Sequence, residues 1–98
     1  MNSQSTAHDI AVYMRRNHAY LIEGIIRIVD AQGEFAGKVN LGKAAGARGN
    51  NSRATRPVER AVSLGLIRQE QADSGNCYYY TVTDFGLEVL VELDRGRS

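Results

Sequence analysis

The sequence predicts an α+β fold that is mainly α. Three observations predict it. Residues 7–31 carry apolar positions at helical spacing without a proline. Residues 40–65 read as two short helices joined by a Gly/Asn turn. Residues 66–82 are β-formers interrupted by a turn, and residues 83–94 form a last, strongly apolar helix. The 98 residues suit a single domain. A domain of this size buries only about two-thirds of its unfolded surface, so its stability is modest.

Residues 1–6 (MNSQST) are polar and read as a frayed tail. Stepping at 100° per residue places Ile10, Met14, Leu21, Ile25 and Ile28 on one stripe, which widens after Leu21 to take in Ile22, Ile26 and Val29. Asn17 is a good cap for a fresh helix, so one long helix or two abutting helices both fit residues 7–31. Gln32-Gly33 ends the segment, and Glu34–Val39 fits a loop or a brief strand.

Asn40 is placed to cap a helix over Leu41–Ala47. Arg48-Gly49-Asn50-Asn51 is turn chemistry, because Gly and Asn tolerate positive φ. Asn51 or Ser52 then caps a helix to Leu64, and Gly65 closes it in a left-handed cap. Leu66–Gln71 and Cys77–Val82 read as a β-hairpin around Ala72-Asp73-Ser74-Gly75-Asn76. Thr83 caps the final helix, which runs to about Asp94.

Charge is distributed unevenly over this plan. From Lys38 to Arg68 there are seven basic residues and one acidic residue, Glu59, a net +6. The whole chain is +1, so the remainder carries −5. A polyanion responds to the local patch more than to the total. On the predicted helix from Ser52 to Leu64, Ala54, Val58, Ala61 and Val62 cluster on one face. Arg53, Arg56 and Arg60 fall within ~60° of one another nearly opposite, by the ~100° helical step. Arginine can fork to the O6 and N7 of guanine. Asn50, Asn51, Ser52 and Thr55 lie in the turn and first helical turn, where free backbone N–H groups favour phosphate. Lys38, Lys43 and Arg48 suit backbone contacts that fix register without reading sequence. The competing reading of the arginines is a solvated face, but such faces usually mix signs.

Three motifs carry a resemblance. They are Leu41-x-x-Ala44-Ala45, Val58-Glu-Arg-Ala61-Val62-x-x-Gly65-Leu66-Ile67, and Tyr80-Thr-Val82-Thr83-Asp84-x-Gly86. Over about residues 40–93 the chain resembles winged helix-turn-helix transcription regulators of the MarR-like type. The resemblance implies that the second helix of the pair enters the major groove of duplex DNA and that the hairpin is a wing. Two departures stand out. Pro57 lies inside the implied recognition helix, so either the helix bends there or its regular part begins near Thr55 with proline in its first turn; a start at Asn51 or Ser52 is the favoured reading. The implied wing tip has Asp73 and no Lys or Arg, leaving Ser74 and Asn76 as its candidate phosphate contacts; a wing that only covers the core fits as well.

The last helix is apolar over ~240°, wider than one core contact requires. A twofold homodimer through Ile10, Tyr13, Met14, Leu87, Leu90 and Val91 would cover it and set two recognition helices roughly 34 Å apart. The alternative is that the N-terminal segment folds back on the last helix of its own chain. Tyr78, Tyr79 and Tyr80 read as core or interface packing more readily than as base-stacking platforms.

Other functions find little support. His8 and His18 have no metal-ligand spacing with Cys77 and read as surface groups, and Gly42, Gly46 and Gly49 lack the strand context of a phosphate loop. No enzyme activity, metal or cofactor is expected. Cys77 reads as an inert packing residue, and a single cysteine with no signal peptide or membrane segment suits the cytoplasm. No polar cluster marks an effector pocket. The expected function is a dimeric, sequence-specific duplex-DNA-binding regulator, most simply a repressor. The alternative is a winged-helix module that docks proteins and reads no bases.

Overall fold

The computed structural model describes residues 6–73 and 77–96. Among the described residues the elements are α1 (Ala7–Arg16), α2 (Tyr20–Gln32), β1 (Phe35–Ala36), α3 (Lys38–Ala44), α4 (Asn51–Ser63), β2 (Ile67–Gln71), β3 (Tyr78–Val82) and α5 (Asp84–Arg95). The molecule is α+β and mainly helical. Its antiparallel sheet has the order β1-β3-β2. No described helix is long and apolar enough to cross a membrane.

Helix α1 opens on a capping box. Thr6 Oγ1 accepts the Asp9 N–H at 3.1 Å and the Thr6 N–H donates to Asp9 Oδ2 at 3.3 Å. Thr6 is thus a structural cap rather than part of a frayed tail; residues 1–5 lie outside the described residues. Residues 7–31 form two helices. Asn17 closes the first instead of opening the second, with its Nδ2 donating to the Tyr13 carbonyl at 2.8 Å. His18 follows with φ 51, an uncommon conformation for a side chain with a Cβ. The break resets the helical phase. Ile22, Ile25, Ile26 and Val29 are therefore buried in α2, while Leu21 is exposed and Ile28 only half-buried.

Helix α3 starts three residues earlier than expected, at Lys38 rather than Leu41. Gly37, at φ 94, is its N-cap, and Asn40 sits in the first turn without capping it. Strand pairing explains the shift. The Gly37 N–H donates to the Tyr78 carbonyl at 2.8 Å, and the Gly37 carbonyl accepts from Leu41 at 3.0 Å. The chain therefore turns from β1 directly into helix, and α3 ends at Ala44 rather than Ala47.

Helix α4 begins at Asn51, capped by Asn50, whose Oδ1 accepts the Arg53 N–H at 3.0 Å. Pro57 is the seventh residue of the helix, so the reading with a start near Thr55 is excluded. Its missing N–H leaves the Arg53 carbonyl without that helical donor. The end of α4 is a Schellman motif: Gly65, at φ 79, donates to Val62 O and Leu66 donates to Ala61 O, each at 3.0 Å. Leu66 is thereby fixed in the core at the start of the hairpin. Thr83 caps α5, accepting from Gly86 N at 2.9 Å while its hydroxyl donates back to Gly65 O at 2.6 Å. One side chain thus ties the end of α4 to the start of α5.

Hairpin register pairs Ile67 with Val82 and Gln69 with Tyr80. Tyr80 is fully buried, its hydroxyl donating to Gln69 Oε1 at 2.8 Å. Burial, and then the nearby Tyr78, Glu59 and Cys77, push its phenol from 10.0 up to about 12. The unfolded chain releases this proton near its ordinary value, before the folded chain does. The stability tied to a protonated Tyr80 is therefore complete below pH 10.0 and is lost as pH rises toward about 12. Chemical denaturation across that window is expected to show falling stability, with less fall in Tyr80→Phe; equal pH dependence in the two proteins would contradict this.

The core is centred on α2. Ile25, Ile26 and Val29 meet Leu41 from α3, Val58 and Ala61 from α4, Leu66, Ile67 and Tyr80 from the hairpin, and Val89 and Leu93 from α5. Arg27 holds the outer side of this assembly. It donates to Glu23 at 2.9 Å within α2 and to Asp94 at 2.7 Å on α5, and hydrogen bonding, first to Asp94, raises its pKa further.

The expected dimer face is largely internal. Helix α1 lies along α5 of the same chain, leaving Ile10 8%, Met14 2% and Leu90 6% exposed. Two polar contacts pin it there: His8 Nδ1 lies 3.2 Å from Glu92 Oε1, and Arg15 donates to the Glu92 carbonyl at 3.2 Å. The break at 17–19 is what lets α1 turn back. Leu87 and Val91 remain exposed on α5.

Candidate nucleic-acid interface

The positively charged stretch resolves into partnered and unpartnered cations. Helices α3 and α4 pack closely because residue 42 is glycine: a Cβ there would overlap the Ala54 carbonyl. The apolar side of α4, Ala54, Val58 and Ala61, is buried. That burial turns Asn51, Ser52, Arg53, Arg56 and Arg60 outward, and all five are exposed.

Arg53 and Arg56 form no ion pair with any described residue. The Arg53 stem folds along the turn, and a Cβ built at Gly49 would meet its Cδ at 2.8 Å. Gly49 has φ 99, so it supplies both the turn and the room for this side chain. Lys43 in the last turn of α3 and Arg48 in the turn are also exposed and form no ion pair among the described residues. Asn51 and Ser52 occupy the first turn of α4, where backbone N–H groups face outward.

Four candidates have other partners. Asn50 spends its Oδ1 on the cap of α4, which leaves only its amide N–H groups for a ligand. Thr55 donates its hydroxyl to the Ser52 carbonyl at 3.1 Å. Lys38 is paired with Glu59 at 3.3 Å and lies 5.7 Å from the centre of the Tyr78 ring. It joins the start of α3 to α4 and β3, and it also neutralises the one carboxylate of the stretch. Arg60 donates to the Tyr13 hydroxyl at 3.0 Å, with its guanidinium 5.6 Å from the Tyr13 ring centre. Tyr13 is therefore engaged by α4, a contact that spacing along the chain does not signal.

The hairpin tip is closed by the Ala72 N–H donating to the Cys77 carbonyl at 2.8 Å. Ser74 and Asn76 lie outside the described residues. Cys77 is exposed, not packed as expected, because it precedes the first paired residue of β3. Tyr78 is exposed at the end of the sheet beneath Lys38, so of the tyrosine run only Tyr80 is core. His8 and His18 are exposed. No group of three His, Cys, Asp or Glu among the described residues is arranged to hold a metal ion. An open cleft of about 260 Å³ lies between α1, α2 and α5, rimmed by Met14, Arg15, His18, Tyr20, Glu23 and Leu93. No local motif marks it, because its walls come from three helices.

Comparison with protein-family models, with curated proteins and with solved structures yields no match.

Proposed function

We propose that the chain is a duplex-DNA-binding transcription regulator of winged-helix type that reads DNA with α4. The carrying observation is the arginine side of α4: Arg53 and Arg56 are exposed and without ion pairs among the described residues, and the nearby Glu59 is taken by Lys38. In this reading the N-terminal half of α4 enters the major groove. Arg53 and Arg56 fork to base edges, with Asn51 and Ser52 beside them. Lys43 and Arg48 hold the phosphate backbone. Arg60, one turn further along, reaches a flanking phosphate. The order α3, α4, β2, β3, α5 supports this reading, in which β2 and β3 serve as the wing.

The protein acts as a homodimer in this reading, through a smaller face than the sequence suggests. Leu87 and Val91 lie one helical turn apart on the exposed side of α5. Antiparallel pairing of two α5 helices about a twofold brings the first-turn Asp84 of each copy to the last-turn Arg95 of the other. Occupying an operator excludes other proteins from it, so repression needs no further element. Selection of bound sequences from random duplex DNA tests the reading. Enrichment of a palindrome with half-sites about one helical turn apart is expected. Unenriched sequence after repeated rounds would refute base reading and favour a protein-docking module.

A further inference from the structure

We infer that Tyr13 is a positioning residue for Arg60, so that α1 sets the strength with which α4 grips DNA; this rests on the DNA-binding reading above. Among the described residues, Arg60 is the one arginine of the α4 face held by another element, through a 3.0 Å hydrogen bond to the Tyr13 hydroxyl and the ring beneath its guanidinium. A guanidinium has five N–H donors, and this bond uses one. No other described residue takes the remaining donors, which leaves them for phosphate. A long, mobile side chain is thus held ready for its ligand, which lowers the ordering cost of binding.

The geometry also couples two faces of the molecule. Tyr13 sits on α1, which is docked on α5 by the His8–Glu92 and Arg15–Glu92 contacts. Displacing α1 from α5 removes the support of Arg60 on α4. The N-terminal helix, expected from its sequence to bind a second copy, thereby becomes the lever that adjusts the DNA grip.

Tyr13→Phe tests this, because it removes one hydroxyl and keeps the ring. The probe is a short mixed-sequence duplex, with affinity measured over a range of salt. Affinity is expected to fall about fivefold, the size of the ordering cost of one long side chain, with the salt slope unchanged because no charge is lost. Arg60→Ala is expected to lower the slope by about 0.9, and adding Tyr13→Phe to it costs nothing more. Unchanged or tighter binding by Tyr13→Phe overturns the inference, as does an equal loss in the Arg60→Ala background. If the unaltered protein binds this duplex with salt-dependent affinity, those failures belong to the inference alone; if it does not bind, the DNA-binding reading falls and the inference with it.

Discussion

Replacing Arg53, Arg56 and Arg60 together with alanine is expected to weaken duplex binding by at least about a hundredfold. Each arginine contact is worth about 1–3 kcal/mol, and three of the smallest already reach that factor. The same change is expected to flatten the dependence of log K on log salt by about 0.9 for the phosphate contact of Arg60, and by up to about 2.7 where all three arginines meet phosphate. To the extent that Arg53 and Arg56 meet bases, the slope moves less and discrimination between sequences moves more. All three residues are exposed and none packs in the core, so the variant folds. Fluorescence anisotropy at several salt concentrations checks the result. A triple variant binding like the unaltered protein would end the proposal for α4.

The largest expected effect on stability is at Gly42. A Cβ there overlaps the backbone carbonyl of Ala54, and no rotation of a flexible side chain can relieve it. The two helices must separate, which costs about 3 kcal/mol, while alanine regains about 1 kcal/mol of helix propensity. The net loss of about 2 kcal/mol is a large share of the stability of a domain this small and lowers its melting midpoint by about 10 °C. The effect reaches function as well, because the α3–α4 contact sets the height of the arginine face. Gly33→Ala is the control: φ there is 80, but nothing lies within 4 Å of the added carbon, so only backbone strain of about 1 kcal/mol is felt. A Gly42→Ala protein melting at or above the unaltered one would show that α3 and α4 are not this closely apposed.

Much of the framework was legible in the sequence because short-range chemistry decides it. Gly65 after an apolar helix end, Thr83 before a helical run, and β-formers on either side of a turn each act within a few residues, and each acts so in the structure. The arginine face was legible by the same route, since helical spacing alone separates Arg53, Arg56 and Arg60 from Ala54, Val58 and Ala61. Local chemistry failed where a distant element casts the deciding vote. Asn17 and Asn40 are both good caps by type. The bond from Gly37 to Tyr78 moves the start of α3, and the turn at His18 leaves Asn17 closing α1. The same limit applies to the apolar faces of α1 and α5. Two complementary surfaces satisfy each other equally well within a chain or between chains, and only the return angle at 17–19 decides for Ile10, Met14 and Leu90. The pairings Lys38–Glu59 and Arg60–Tyr13 are invisible to spacing, because their partners are 21 and 47 residues away.

The central claim is that the exposed arginine side of α4 grips duplex DNA. Its most direct test is the equilibrium affinity of the unaltered protein for a mixed-sequence duplex between low and physiological salt. Phosphate contacts from Lys43, Arg48 and Arg60, joined by Arg53 and Arg56 to the extent that these meet phosphate on mixed sequence, predict a linear fall of log K with log salt of slope about −2.7 to −4.5 per chain, at roughly 0.9 per contact. A slope near zero, or no binding at low salt, would contradict it.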